Sequence, residues 1–269
     1  MSVKIAHEGN KSITLEDLIK KETIHGTDIE PIYWFNQKEN QRLAVSIAGA
    51  SGSGKSTLAS KIVDYLSQKL KYQVFIFSVN SGEDVLIKKR PVKYEVMKPK
   101  VIRGKLQLMQ EPTGEIVPIM EKKVVEEPLY PIRIDYMAPS IWEEPLEYWR
   151  KSIVIFDDIE DLGDKDATKR VKQLQSLFYT AGRKLDIHMV NTLHNMRDSN
   201  PLTKLENTFW VFAHRGSPKF KLVGILIDLL GMKRRDAEKV VSELGDSRHV
   251  AIHTTYPNYI IGSKLIKLL

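Results

Sequence analysis

The chain has 269 residues, 42% hydrophobic and 28% charged, a globular balance that excludes collagen-like and disordered classes. Lys and Arg number 41 against 34 Asp and Glu, a formal charge of +7 that favours a polyanionic partner. Cysteine is absent, which excludes disulfides and thiolate metal sites, and no apolar stretch approaches the ~20 residues of a spanning helix.

The opening residues, MSVKIAHEGNKS, lack the apolar run of a secretory signal, so an intracellular compartment is expected. Residues 1–40 read as an N-terminal appendage. Within it, Thr14 followed by Asp17 is a helix-capping signature, and Leu15, Leu18 and Ile19 give a short apolar face up to about Glu22. Residues 41–269 read as one domain. It opens with a buried strand at Leu43 to Ala48 that enters a glycine-rich loop. Leu58, Ile62, Leu66 and Leu70 then recur every fourth residue, as one helix face requires, and Val74 to Val79 reads as a second buried strand.

From about Gly82 to Ser140 seven prolines and short alternating stretches such as Lys105 to Leu108 break this rhythm, which predicts an inserted β-rich segment. It carries Lys88, Lys89, Arg90, Lys93, Lys98, Lys100, Arg103 and Lys105, opposed between them by Glu95 alone. Such a run is either a solvated hairpin or a nucleic-acid surface. The core resumes with a strand at Ile153 to Asp158, a helix over Ala167 to Arg183, and strands at Ile187 to Val190 and Phe209 to Ala213. After Gly216 a helix ending at Gly231 is expected, then one from Arg234 to before Gly245, then a closing hairpin around Pro257 and Asn258. Alternating strands and helices predict an α/β fold, a mainly parallel sheet with helices on both faces.

Two motifs carry chemistry. Gly49-Ala50-Ser51-Gly52-Ser53-Gly54-Lys55-Ser56 matches G-x-x-x-x-G-K-[ST] between a strand and a helix, the context in which backbone N–H groups curl around phosphate. Gly49, Ser51, Gly52, Ser53, Gly54, Lys55, Ser56 and Thr57 are therefore the expected ATP-binding residues, with Lys55 on the β and γ phosphates, Ser56 on Mg2+ and Thr57 near the α-phosphate. Asp157 and Asp158 end an apolar strand, where carboxylates can meet the metal and the γ-phosphate. Asp157 is the expected Mg2+-side carboxylate and Asp158 the expected base, with Glu160 as the alternative. Glu160 and Asp161 continue the acidic run, so a merely acidic loop also fits.

Together with Gly182-Arg183-Lys184-Leu185-Asp186-Ile187-His188 and His194 beyond the following strand, these motifs resemble the FtsK-HerA superfamily of RecA/ASCE-like P-loop NTPases. Phe209 to Phe212 and His253 to Tyr259 are similar to the terminal region of its poxvirus-type genome-packaging ATPase branch. The likeness covers roughly residues 43–269 outside the inserted segment. It implies an ATPase acting as a homo-oligomeric ring on double-stranded DNA, with capsid or portal-vertex proteins as partners and the host-cell cytoplasm, virus assembly site or virion as location. It implies further that Arg183 serves a neighbour's nucleotide and that His194 is a polar sensor. Asp158 stands where relatives have glutamate, and His194 where cellular relatives have glutamine. From the residues alone, Arg183 also suits a helix C-terminus facing the dipole, and His194 suits an ordinary loop, with Asn191 and Thr192 near enough to share its role. The loop GASGSGKST also resembles that of uridine-kinase-like phosphotransferases, and a slow nucleotide-dependent assembly switch is a third possibility.

Overall fold

The computed structural model describes residues 3–32, 42–79, 85–102, 105–113, 115–160, 162–194, 196, 199–213, 219–245, 247 and 249–269. Gly82, Arg103, Asp161 and Gly216, named above, lie outside them, as do residues 33–41 of the expected appendage.

The chain begins with β1 (Lys4–Glu8), β2 (Lys11–Thr14), α1 (Leu15–Lys21), β3 (Thr23–His25) and β4 (Ile29–Pro31). The capping signature is realised: the Thr14 hydroxyl accepts the Asp17 N–H at 3.2 Å. Next come β5 (Ala44–Ala48), α2 (Lys55–Leu70) and β6 (Gln73–Ser78). The inserted segment contributes β7 (Arg90–Pro99), β8 (Val101–Ile102), β9 (Lys105–Leu106), β10 (Leu108–Gln110), β11 (Ile116–Pro118), β12 (Met120–Leu129) and β13 (Ile132–Arg133). The core returns as β14 (Ser152–Asp157), α3 (Lys165–Leu185), β15 (Ile187–Leu193), α4 (Pro201–Glu206) and β16 (Phe209–Ala213). It closes with α5 (Lys219–Leu230), α6 (Arg234–Leu244), β17 (His249–His253), β18 (Tyr259–Ile261) and β19 (Leu265–Leu268).

Ten strands form one sheet in the order β13-β6-β14-β15-β5-β16-β17-β18-β19-β3. The half from β13 to β16 is parallel, and the half from β17 to β3 is antiparallel. Within β5, alternation sends Val45 and Ile47 to one face, where they pack with Ile62, Val63 and Leu66 of α2. Ala44 joins Val171 and Phe178 of α3 on the opposite face, and Ala48 joins α5 and α6 there through Leu226 and Val240. An aromatic cluster fixes α3 to the sheet: Phe77 stacks on Phe156 at 5.1 Å, and Trp149 meets Phe178 edge-on at 5.4 Å. Truncating Phe156 to Ala there costs about 3–5 kcal/mol.

The N-terminal residues meet the main sheet, where β3 pairs antiparallel with β19 as an edge strand. The inserted segment likewise rejoins that sheet through β13 against β6. Its basic run is also largely committed. Arg90 is 2% exposed and its Nε binds Asp64 at 2.8 Å, Lys88 pairs with the same carboxylate at 2.5 Å, and Lys89 lies over the Tyr130 ring. Across the β7–β12 ladder Lys93 stands opposite Glu126 and Lys98 opposite Glu121, which gives each of these two lysines a carboxylate as cross-strand neighbour. Among the described residues, no helix is long and apolar enough to cross a membrane.

Candidate nucleotide site

β15 lies between β5 and β14, and all three are parallel. Their C-terminal ends therefore share one edge of the sheet, and the loop after β5, the carboxylates after β14 and the tip of β15 meet there.

The loop is pinned before it curls: the Gly49 N–H donates to the Leu193 carbonyl at 3.1 Å, and the Ser53 N–H to the Ala50 carbonyl at 3.2 Å. A Cβ on Gly49 would come within 2.6 Å of Ser53 Oγ and 3.0 Å of the Ala213 carbonyl, so only glycine fits. Gly54 takes the left-handed region, φ 93°, as the N-cap of α2, and no side chain caps that helix. The first amides of α2 are thus left to an anion. Ser53 Oγ is enclosed against Gly49 without a hydrogen-bond partner, an unsatisfied polar atom within the loop. Lys55 is 6% exposed, and its ammonium donates to the Gly49 carbonyl at 3.0 Å and the Ala50 carbonyl at 3.5 Å. Ser51, Gly52 and Thr57 are exposed, and Ser56 is half-buried in the first turn of α2.

Asp157 ends β14 at the register level of Ser78 on one side and Thr192 on the other. It is buried; Ser78 Oγ donates to its Oδ2 at 2.9 Å and Thr192 Oγ1 to its Oδ1 at 2.6 Å. These two donors fix the carboxylate rotamer. Neither was singled out from the sequence for this task, although Ser78 is legible as a hydroxyl closing the apolar VFIFS strand. Asp157 and the Ser56 hydroxyl are hard oxygen donors that fit Mg2+, a cation usually held by one or two protein oxygens plus phosphate and water.

Asp158 lies past the strand end, with φ 49°, and its N–H donates to the Thr192 carbonyl at 3.3 Å. Its Oδ2 meets His194 Nε2 at 3.2 Å, while His194 Nδ1 stands 3.4 Å from Lys55 Nζ. An ammonium can only donate, so Nδ1 accepts and Nε2 carries the proton toward Asp158. The imidazole joins the lysine to the carboxylate. Glu160 is nearby, with both carboxyl oxygens enclosed and lacking a hydrogen-bond partner of normal geometry. Burial pushes this carboxyl up. The Asp158 charge adds to the effect, while the backbone N–H groups of Glu160 and His194 and the His194 ring oppose it.

Arg183 is not at this edge. Helix α3 crosses back between parallel β14 and β15, so its last turn is at the far edge, about 28 Å along the axis from Asp164. There Arg183 is 69% exposed and lies 3.8 Å from Glu206. Asn191 is a core residue, its amide donating to the Val45 carbonyl at 3.3 Å, Ser46 Oγ at 3.1 Å and the Tyr179 hydroxyl at 2.9 Å. His188 is also structural: its Nδ1 accepts the Leu43 N–H at 3.1 Å, and Nε2 meets Asp186 at 3.2 Å.

A strand–loop–helix phosphate cradle with its lysine, and a buried carboxylate two strands away across an intervening strand, define an α/β protein of the P-loop NTPase fold. No family model matches the chain, and no curated protein matches it. Among solved structures it is similar to the genome-packaging NTPase B204 of Sulfolobus turreted icosahedral virus 2 in complex with ATP-gammaS. That match is 12% identical over 85% of this chain and 98% of the other, with a TM-score of 0.49. It is also similar to the pCW3 conjugation coupling protein TcpA with ATPgS (10% identity, 99% and 62% covered, TM-score 0.47). A third similar structure is EssC from Geobacillus thermodenitrificans, ATPases 2 and 3 (11% identity, 100% and 43% covered, TM-score 0.40).

Proposed function

We propose that this protein hydrolyses ATP and uses it to move double-stranded DNA, as the packaging motor of a viral capsid. The observation that carries the ATPase reading is the convergence of Lys55, Asp157, Asp158, Glu160 and His194 on one sheet edge beside the phosphate cradle. DNA as the load is supported by the Gly182–His188 motif and the terminal motifs that resemble FtsK-HerA packaging ATPases, and by the excess of basic residues. A homo-oligomeric ring, capsid or portal-vertex partners and a site of action where virions assemble belong to the same reading.

In the mechanism, the loop amides and the α2 N-terminus hold the phosphates, and Lys55 exchanges its two backbone carbonyls for phosphate oxygens, where it stabilises charge developing in transfer. Asp157 and Ser56 would hold Mg2+, and the positive charge it would supply there would offset part of that on the phosphates. Water attacks the γ-phosphorus, the bond to the β–γ bridging oxygen breaks, and ADP and phosphate form. Asp158 Oδ2 is engaged by His194, whereas the Glu160 carboxyl has no such partner and burial raises its proton affinity. We therefore assign acceptance of the water's proton to Glu160, with Asp158 and His194 linking the site to Lys55.

The test is ATP turnover with and without duplex DNA, using Lys55→Ala as control. Turnover that DNA stimulates and Lys55→Ala abolishes is expected. A DNA-indifferent enzyme that phosphorylates a small molecule would replace this reading with the phosphotransferase one, and slow turnover with neither response would point to an assembly switch.

A further inference from the structure

With Arg90 buried and the β7 lysines faced by β12 carboxylates, the most coherent free positive charge near the site lies elsewhere. An open groove of about 610 Å³ runs between α3 and α4. Its α3 wall carries Lys165, Lys169 and Lys172 with Thr168 and Ser176, and among the described residues its lining includes no carboxylate. These lysines sit at i, i+4 and i+7, one face of the helix. Lys165 and Lys169 are exposed and make no ion pair among the described residues. Asn200 anchors the other wall, its amide donating to Ser176 Oγ at 2.5 Å and the Lys172 carbonyl at 3.3 Å.

We propose that this groove binds the phosphate backbone of duplex DNA, an inference that rests on the DNA-translocase reading and names the surface it uses. The three lysines leave the helix at successive turns, whereas a site for a single phosphate gathers its cations at one point. They are spread over about 10 Å of helix axis, roughly three axial steps of one DNA strand at ~3.4 Å each. Lysines together with hydroxyl and amide groups are the usual partners of phosphate oxygens, and they read no sequence, which suits a translocated load.

The groove is also wired to the chemistry. Lys172 Nζ donates to the backbone carbonyl of Glu160 at 3.3 Å, and the Leu162 N–H donates to Thr168 Oγ1 at 3.1 Å. Both ties hold the loop that carries Glu160. A phosphate arriving at Lys172 competes for the first tie and thereby reaches the base.

The experiment compares parent protein with the Lys165→Gln/Lys169→Gln double variant, which leaves Lys172 and the nucleotide site intact. Binding of a fluorescein-labelled 30-bp duplex is followed by anisotropy across a salt series, alongside ATPase with and without that duplex. Loss of two phosphate contacts lowers the slope of log K against log salt by about 2, with basal ATPase unchanged and DNA stimulation reduced. An unchanged slope in a variant that still binds overturns the groove proposal and leaves the DNA reading standing. Unchanged slope with altered self-association in sedimentation overturns it too and makes the groove a subunit contact. If the parent itself fails to bind the duplex at 50 mM salt, the DNA reading falls and takes this proposal with it.

Discussion

The imidazole of His194 is 3.4 Å from the ammonium of Lys55, so the tip of β15 touches the residue expected to hold the γ-phosphate. Through its other nitrogen the same ring reaches Asp158 at 3.2 Å. His194 is therefore placed to report on the position of Lys55 and pass it to the carboxylate side.

His194→Ala is expected to lower kcat about ten- to hundredfold, the size of one lost hydrogen bond to a charged group. Binding of a fluorescent ATP analogue should change little, because the cradle itself is untouched. His194→Gln, whose amide both donates and accepts, should recover part of the loss. Equal kcat for the Ala and Gln variants would argue against a polar link.

The two candidate bases are separated by Glu160→Gln and Asp158→Asn. As the base, Glu160 loses about 10²–10⁴-fold in kcat on conversion to Gln, while Asp158→Asn keeps more activity and resembles the His194 variants. Stability should move the other way. Burial disfavours the Glu160 carboxylate, so its folded-state cost appears as pH rises through and above its ordinary range. Glu160→Gln therefore raises Tm of the metal-free, nucleotide-free protein at pH 7 and has no such effect at pH 3.5. A Tm below that of the parent at pH 7 would contradict the enclosed, unpartnered carboxylate.

The sequence made some of this legible and not the rest, for physical reasons. The phosphate loop was readable because glycine spacing, lysine and flanking elements all follow from one local backbone requirement. Helices α2 and α3 were readable from their apolar period, and Gly231 and Gly245 marked helix ends that the structure keeps. By contrast, the pairing of β3 with β19 joins residues more than two hundred apart, and no local pattern encodes that. The partners of the basic run were unreadable for a similar reason: Asp64 on α2 and the β12 carboxylates opposite Lys93 and Lys98 are distant in sequence. Ser78 and Thr192 acquire their role from register with Asp157, which exists only once β6, β14 and β15 are paired.

Acid sensitivity is expected from His253. It lies between Phe209 and Tyr259, with ring centroids 4.9 and 4.5 Å away. Its Nδ1–H donates to the Pro257 carbonyl at 3.2 Å, and Nε2 accepts from the Thr255 hydroxyl at 3.0 Å. Burial holds its pKa down at about 4, below the value near 6.5 of an unfolded chain. The unfolded chain therefore gains a proton that the fold refuses, and stability is lost as pH falls from about 6.5 to about 4. The loss is on the order of 3 kcal/mol. Urea unfolding at pH 7 and pH 4.5 should show a smaller acid loss in His253→Gln than in the parent; equal losses would assign the sensitivity to other groups.

Arg183 supplies the last prediction. The far-edge position of the last turn of α3 excludes a role on the nucleotide bound by the same subunit, and the side chain is exposed. Its nearby acid, Glu206, is shared with buried Arg42, whose Nη2 lies 3.3 Å from the same carboxylate oxygen, so Arg183 is weakly held and free to reach outward. We expect it to act on ATP bound by the Lys55 of an adjoining subunit, stabilising charge on the transferring phosphoryl oxygens, an effect of about 10³-fold or more. Hydrolysis then requires assembly, and a monomer is nearly inactive. The measurement is to mix inactive Arg183→Ala and Lys55→Ala subunits after showing by native mass spectrometry that mixed rings form. Partial recovery is expected, since some interfaces pair an intact Lys55 from one variant with an intact Arg183 from the other. Proven mixed rings without recovery, or full turnover by a demonstrated monomer, would leave Arg183 as a surface cation at the C-terminal end of a helix, favoured there by the dipole alone.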